Sequence, residues 1–330
     1  MSRLLARLLF GPLLALAVIL PAAAEDGGPP WSAPLAQDHP LVGRIWLPAE
    51  HRFVPPTELS RLLAAADFVL LGERHDNPDH HRLQAWALGK MVIAGRRPVV
   101  AFEMIGPEQS TAFDRQRMLR PDDVDGLATA LDWSHSNWPD WAYYRPLFAE
   151  AIASNLPVRA ANLPRDTMRA IARGQPLADD ARLAYRLDRP LPPPIFQAMA
   201  EEIRQSHCGQ LPETAVAPMV DVQRARDAAM AHALSDDTPA GAVLIAGAGH
   251  TRTDRGVPWQ LATLAAGRTV FSLAFIEVAD DSSDPKEYGA AYGSVLPPFD
   301  AVWFTPRASD DDPCAEMMTF MKRKAEQQSQ

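Results

Sequence analysis

Residues 68–81 read Phe-Val-Leu-Leu-Gly-Glu-Arg-His-Asp-Asn-Pro-Asp-His-His. Phe68 to Leu71 is an unbroken apolar run, the pattern of a strand covered on both faces. Gly72 allows a tight exit from that strand. Asn77-Pro78 then reads as a helix start, with Asn as N-cap and Pro at the first helical position. The helix extends to about Ile93 and carries Leu83, Trp86, Ala87 and Met91 on one face. Short strand candidates recur at 98–102, 157–161, 241–246, 270–278 and 301–304, with an earlier one at 43–47. Helical patterns fall between several of them, near 57–65, 107–118, 121–131 and 140–154. This alternation predicts an α/β fold, a mostly parallel sheet flanked by helices on both faces. From about 165 to 240 the strand patterns stop, and 165–173, 194–205 and 215–233 look helical. That stretch is expected to be a small inserted helical subdomain. The expected layout is a leader and first strand at 25–54, the α/β unit at 55–164 and 241–310, and a C-terminal tail at 311–330.

Of the 330 residues 47% are hydrophobic and 22% charged, which suits a globular chain and not a disordered one. The formal charge of −9, with no basic stripe, argues against a nucleic-acid partner. Arg3 and Arg7 precede an apolar run from Leu8 to Leu20 that ends in Pro21-Ala22-Ala23-Ala24. A charged start, a short apolar run and an A-x-A exit predict a secretory signal over 1–24, cleaved after Ala24. The run is too short for a stable membrane span. No cysteine lies near the exit, so no lipid acceptor is expected, and the mature chain is expected to be soluble and periplasmic. The two cysteines, Cys208 and Cys314, leave two readings open: one bridge, as exported chains often form, or two separate buried thiols.

In open parallel sheets, sites form beyond the carboxyl ends of strands. Glu73, Arg74 and His75 follow the first quoted strand, Glu103 follows 98–102, Asn162 follows 157–161, and Gly247-Ala-Gly-His250 follows 241–246. One polar residue at a strand end is uninformative; four at equivalent positions predict a shared polar crevice. Gly247 and Gly249 do not form a dinucleotide fingerprint, because the third glycine and the later acid are missing. His80 and His81, beside Asp79 in a first helical turn, are expected to cap or stay solvated. His207 is expected at the surface. No G-x-S-x-G and no P-loop occurs, so hydrolysis would need His or Glu as base, or a metal-activated water. Glu73, His75, Glu103 and His250 are the working set for that chemistry. The dense aromatics Trp133, Trp138, Trp141, Tyr143 and Tyr144 suit either core packing or a wall for a flat ligand, and Met219 and Met230 likewise suit core or pocket.

The runs Val69 to His81, Phe102-Glu-Met104, Asn162-Leu-Pro-Arg165, Gln223 to Asp227 with Met230, and Gly247 to His250 with Asp254-x-Gly256-Val-Pro258 resemble the ChaN-type haem-binding proteins over roughly 55–275. The resemblance implies haem as cofactor, a role in haem and iron acquisition with an uptake system as partner, and a homodimer holding two stacked haems. It implies tyrosine ligation of iron, for which Tyr143, Tyr144 and Tyr185 are candidates. Tyr144 is preferred because it ends a W-x-x-Y stretch. Glu73, His75, Glu103 and His250 would line the cofactor site, and Arg165 or Arg74 would pair with propionates. The wider superfamily is similar to Tiki-type metalloproteases and erythromycin esterases, which implies the hydrolase alternative at the same crevice. Family relatives are lipoproteins, and the missing acceptor cysteine is this chain's departure from them.

Overall fold

The computed structural model describes residues 28–312 except 237, and beyond them 314, 315, 317–319, 322 and 323. The expected signal at 1–24 and most of the tail lie outside the described residues. The strands are β1 (Ile45–Leu47), β2 (Arg52–Val54), β3 (Phe68–Glu73), β4 (Val99–Phe102), β5 (Val158–Ala160), β6 (Ala242–Gly247), β7 (Val270–Glu277) and β8 (Ala301–Thr305). The helices are α1 (Pro56–Ala65), α2 (Pro78–Ile93), α3 (Ser110–Leu119), α4 (Val124–Ala130), α5 (Trp141–Ala153) and α6 (Arg165–Ala172). They continue as α7 (Asp179–Ala184), α8 (Pro193–Ser206), α9 (Glu213–Ser235), α10 (Ala248–Thr251) and α11 (Val257–Leu264). Asn77 caps α2 as its sequence signals, accepting from the Asp79 backbone N–H.

The strands form one sheet in the order β2-β1-β8-β7-β3-β6-β4-β5. From β8 to β5 every pairing is parallel, and β1 joins β8 and β2 antiparallel. The fold is therefore a mostly parallel α/β sheet. Alternation along β3 feeds two cores: Val69 and Leu71 face α1, α2 and α5, while Phe68 and Leu70 face the end of α9 and α11. Every residue of β3 and β4 is buried, which is why these strands read as continuous apolar runs.

The helical stretch is only partly separate. Its own clusters join α6, α8 and the first half of α9, but Met230, Ala231 and Leu234 of α9 pack directly on the sheet. Cys208, just after α8, is disulfide-bonded to Cys314 in the C-terminal tail, so the bridge is the reading that holds.

Candidate functional site

β3, β6, β4 and β5 are consecutive neighbours, so their carboxyl ends form one edge. Register aligns Glu73 with Gly247 and Phe102 with Ile245. Glu103 thus emerges beside Gly247, whose backbone N–H donates to Glu103 Oε2 at 2.7 Å. A side chain at Gly72 would not fit: its Cβ would lie 2.2 Å from Thr251 Oγ1. That glycine lets β3 run tight against α10, which carries His250.

His75 and His250 converge on one oxygen of Glu103, and Glu73 joins them through His75. His75 Nε2 lies 4.0 Å and His250 Nε2 3.7 Å from Glu103 Oε1. Each ring is held from behind by a carboxylate, His75 Nδ1 by Glu73 Oε1 at 2.7 Å and His250 Nδ1 by Asp227 Oδ1 at 2.6 Å. Arg226 Nη2 donates to the same Glu103 oxygen, and its Nε donates to Asn162 Oδ1 at 3.2 Å. Asn162 Nδ2 in turn donates to the Glu103 carbonyl at 2.9 Å.

The electrostatics follow from burial and partners. Glu103 is buried, which disfavours its charge, but Arg226, His250 and His75 together hold its carboxyl down at about 2. Burial likewise opposes the His75 cation, yet the Glu73 and Glu103 carboxylates raise the imidazole to about 9. His75 is therefore an imidazolium at neutral pH, and at 38% side-chain exposure it is the member of the set that faces outward. Burial pushes the Asp227 carboxyl up despite its bond to His250. Glu73 Oε2 is buried without a hydrogen-bond donor.

Tyr144 lies behind this cluster and not in it. Its side chain is fully buried and its O–H donates to Glu73 Oε1 at 3.3 Å. Burial and the neighbouring Glu73 and Glu103 charges push the phenol well above its usual range. A phenolate on iron is disfavoured here, and Tyr144 serves instead to seat Glu73. Arg74 is turned away, paired with Asp76 and with Glu277 at the end of β7. Arg165 stands at the crevice mouth, about half exposed and 3.4 Å from Glu108.

His80 and His81 are not solvated. Both are fully buried, because the first turn of α2 tucks under the end of β3. His80 Nδ1 accepts from the Arg74 N–H at 2.9 Å, which leaves Nε2 to donate to Thr305, and burial keeps the ring neutral. His81 Nε2 donates to the His75 carbonyl at 2.9 Å and its ring sits 4.0 Å from that of Tyr144. Arg226 and Asp227 complete the cluster, although in the sequence they stand only within the Gln223–Asp227 run of the family resemblance and take no role there. The available signal was an acid inside the buried stripe of α9, flanked by Ala225, Ala228 and Met230.

Two cavities flank the crevice mouth and share Trp138 and His135. One, of about 290 Å³, is walled by Met104, Leu163, Met168 and Trp138, with Arg165 and Arg169 at its rim. The other, of about 600 Å³, is walled by Trp133, Trp138 and Trp141. The Trp138 ring stands edge-on to His75 with centroids 4.9 Å apart. A third, of about 120 Å³, opens on the far side of His250 beneath α8.

Fold and site together define a class: parallel α/β proteins with paired acids and histidines at adjacent strand ends. This chain belongs to the family described as haem-binding uptake, Tiki superfamily, ChaN, whose pattern matches residues 59–261. No curated protein matches the chain. Among solved structures it is similar to ChaN of Campylobacter jejuni, described there with cofacial heme binding. That pair shares 20% identity and a TM-score of 0.62, over 78% of this chain and 95% of that one. It is also matched by an erythromycin esterase, EreC, in its open conformation, at 11% identity, 78% and 95% coverage and a TM-score of 0.45. The type III effector HopBA1 matches at 14% identity, 76% and 92% coverage and a TM-score of 0.42. The first likeness shows the fold, and the other two are too distant to argue from.

Proposed function

We propose that this protein binds haem at the crevice mouth and serves in haem acquisition outside the cytoplasm. The observation that carries the reading is a pair of cavities with apolar walls on either side of Trp138, the smaller of them rimmed by Arg165 and Arg169. Cavities of about 290 and 600 Å³ fall in the range that holds cofactor-sized ligands. Trp138, Met104, Leu163 and Met168 would cover the faces of a flat macrocycle, at roughly 25 cal/mol per Å² of apolar area buried. Arg165 and Arg169 would meet its carboxylates, with the outward-facing His75 imidazolium as a third cation. Haem would supply the iron the protein carries, and the residues described here would hold the macrocycle, orient it and neutralise its carboxylates. Membership of a haem-binding uptake family supports the same ligand.

The charged, apolar and A-x-A leader supports export, and the Cys208–Cys314 bridge suits an oxidising space such as a periplasm. Among the described residues no helix is long and apolar enough to cross a membrane. We propose further that two copies bring their open mouths together over stacked haems, which light scattering with and without hemin would detect as a doubling of mass. The primary test is titration of purified protein with hemin. A Soret shift saturating at micromolar hemin is expected, and an unshifted Soret band removes the reading.

The Asp227–His250 pair supports a second reading, a hydrolase in which His250 as general base takes a proton from a water, which attacks an ester carbonyl beside Glu103 and displaces the alcohol. A metal-dependent form is less favoured, because the Arg226 guanidinium already supplies the positive charge between Glu103 and Asn162. Among the described residues no three acidic, histidine or cysteine side chains are arranged to hold a metal ion. His250→Gln separates the readings: it should abolish any ester hydrolysis and leave the hemin spectrum nearly intact.

A further inference from the structure

We propose that Nε2 of His135 ligates the iron of the bound haem, an assignment that rests on the haem-binding reading above. No tyrosine is found in the wall of either large cavity, whereas His135 lines both. Tyr144 is sealed beneath Glu73, Tyr143 packs toward His81, and Tyr185 packs with Met168 and Met219 among the helices. The other histidines near the crevice are committed. His75 lines neither large cavity, and its Nε2 is turned toward Glu103 Oε1, 4.0 Å away. His250 opens onto the cavity of about 120 Å³, too small for a macrocycle. His80 and His81 are fully buried.

His135 has the arrangement that a ligating imidazole needs. Its Nδ1 is 2.7 Å from Asp132 Oδ1, so the proton sits on Nδ1 and the lone pair on Nε2. The side chain is 79% exposed, so Nε2 is open to a ligand arriving in either cavity. Asp132 adopts φ +52°, a left-handed turn that acidic residues tolerate, and this turns the chain so that acid and imidazole meet three residues apart. The backbone around them is pinned by Trp133 Nε1, which donates to the Pro139 carbonyl at 2.8 Å, and by Ser136 Oγ, which donates to the Trp133 carbonyl at 2.6 Å. Trp138, on the same short loop, is placed to pack the macrocycle that His135 would hold.

The test is hemin titration of the full protein and of His135→Ala and Asp132→Asn, read by absorbance and by electron paramagnetic resonance of the ferric form. Losing the supporting carboxylate should weaken hemin binding roughly 10- to 100-fold, and losing the imidazole at least as much. His135→Ala should also lose the nitrogen-ligated ferric signature, and added imidazole should restore it. The thermal midpoint should stay unchanged, since the side chain is largely exposed. If wild type binds hemin and His135→Ala keeps the same spectrum, the ligand assignment is wrong even where affinity falls. If wild type shows no Soret shift, the haem-binding reading itself fails and the ligand assignment goes with it.

Discussion

Glu103 concentrates the electrostatics of the crevice. It is 1% exposed and shares one oxygen with Arg226 and two imidazoles. Removing one partner of a buried ion pair strands the other, at about 3–5 kcal/mol. Glu103→Gln should therefore lower unfolding stability by about that much at pH 7, measured by urea denaturation. The sign of the pH dependence follows from its depressed pKa. Stability from the Glu103 carboxylate is fully present above its ordinary value of 4.5 and fades as pH falls toward about 2. Wild type should lose stability across that window, and Glu103→Gln should lose visibly less. Tyr144 illustrates the limit of residue-level reading: its W-x-x-Y setting is visible in sequence, but the Glu73 carboxylate it touches is 71 positions away.

At the scale of elements, the close approach of β3 and α10 sets the spacing between Glu73 and His250. Gly72→Ala would drive a methyl into Thr251 Oγ1, at 2.2 Å, and the Ala248 backbone, at 3.0 Å. Relief by shifting α10 should cost about 1–3 kcal/mol and move His250, seen as a lower thermal midpoint and displaced imidazole resonances in the NMR spectrum. The central strands were legible because burial on both faces makes them plain apolar runs. The edge strand β2, three residues with Arg52 and Phe53 outside the core, leaves no such trace. The six-residue α7, with no buried residue, is silent for the same reason. The strand-end acids and histidines announced the crevice, because strand boundaries are where such residues have to act. Arg226 and Asp227 approach from the middle of α9, and no local pattern reports where a long helix crosses a sheet. The burial of His80 and His81 was equally hidden, since it depends on Thr305, 225 positions from His80.

For the whole molecule, the Cys208–Cys314 bridge closes a loop of 106 residues between the helical region and the tail. Chain entropy puts the stabilisation from a cross-link of this span at about 4–5 kcal/mol, acting through the unfolded chain. The double variant Cys208→Ser/Cys314→Ser should show a lower urea midpoint than the oxidised wild type, and wild type unfolded in reductant should match the variant. Strand order has a consequence for how the molecule is made. The β1–β2 hairpin is synthesised before the other strands, yet its docking edge is β8, at residues 301–305. The hairpin must therefore wait, unpaired on one side, until β8, the last strand among the described residues, has emerged. A chain cut before residue 301 would leave Ile45 and Trp46 without their partner strand and give newly made molecules a ready edge for joining one another.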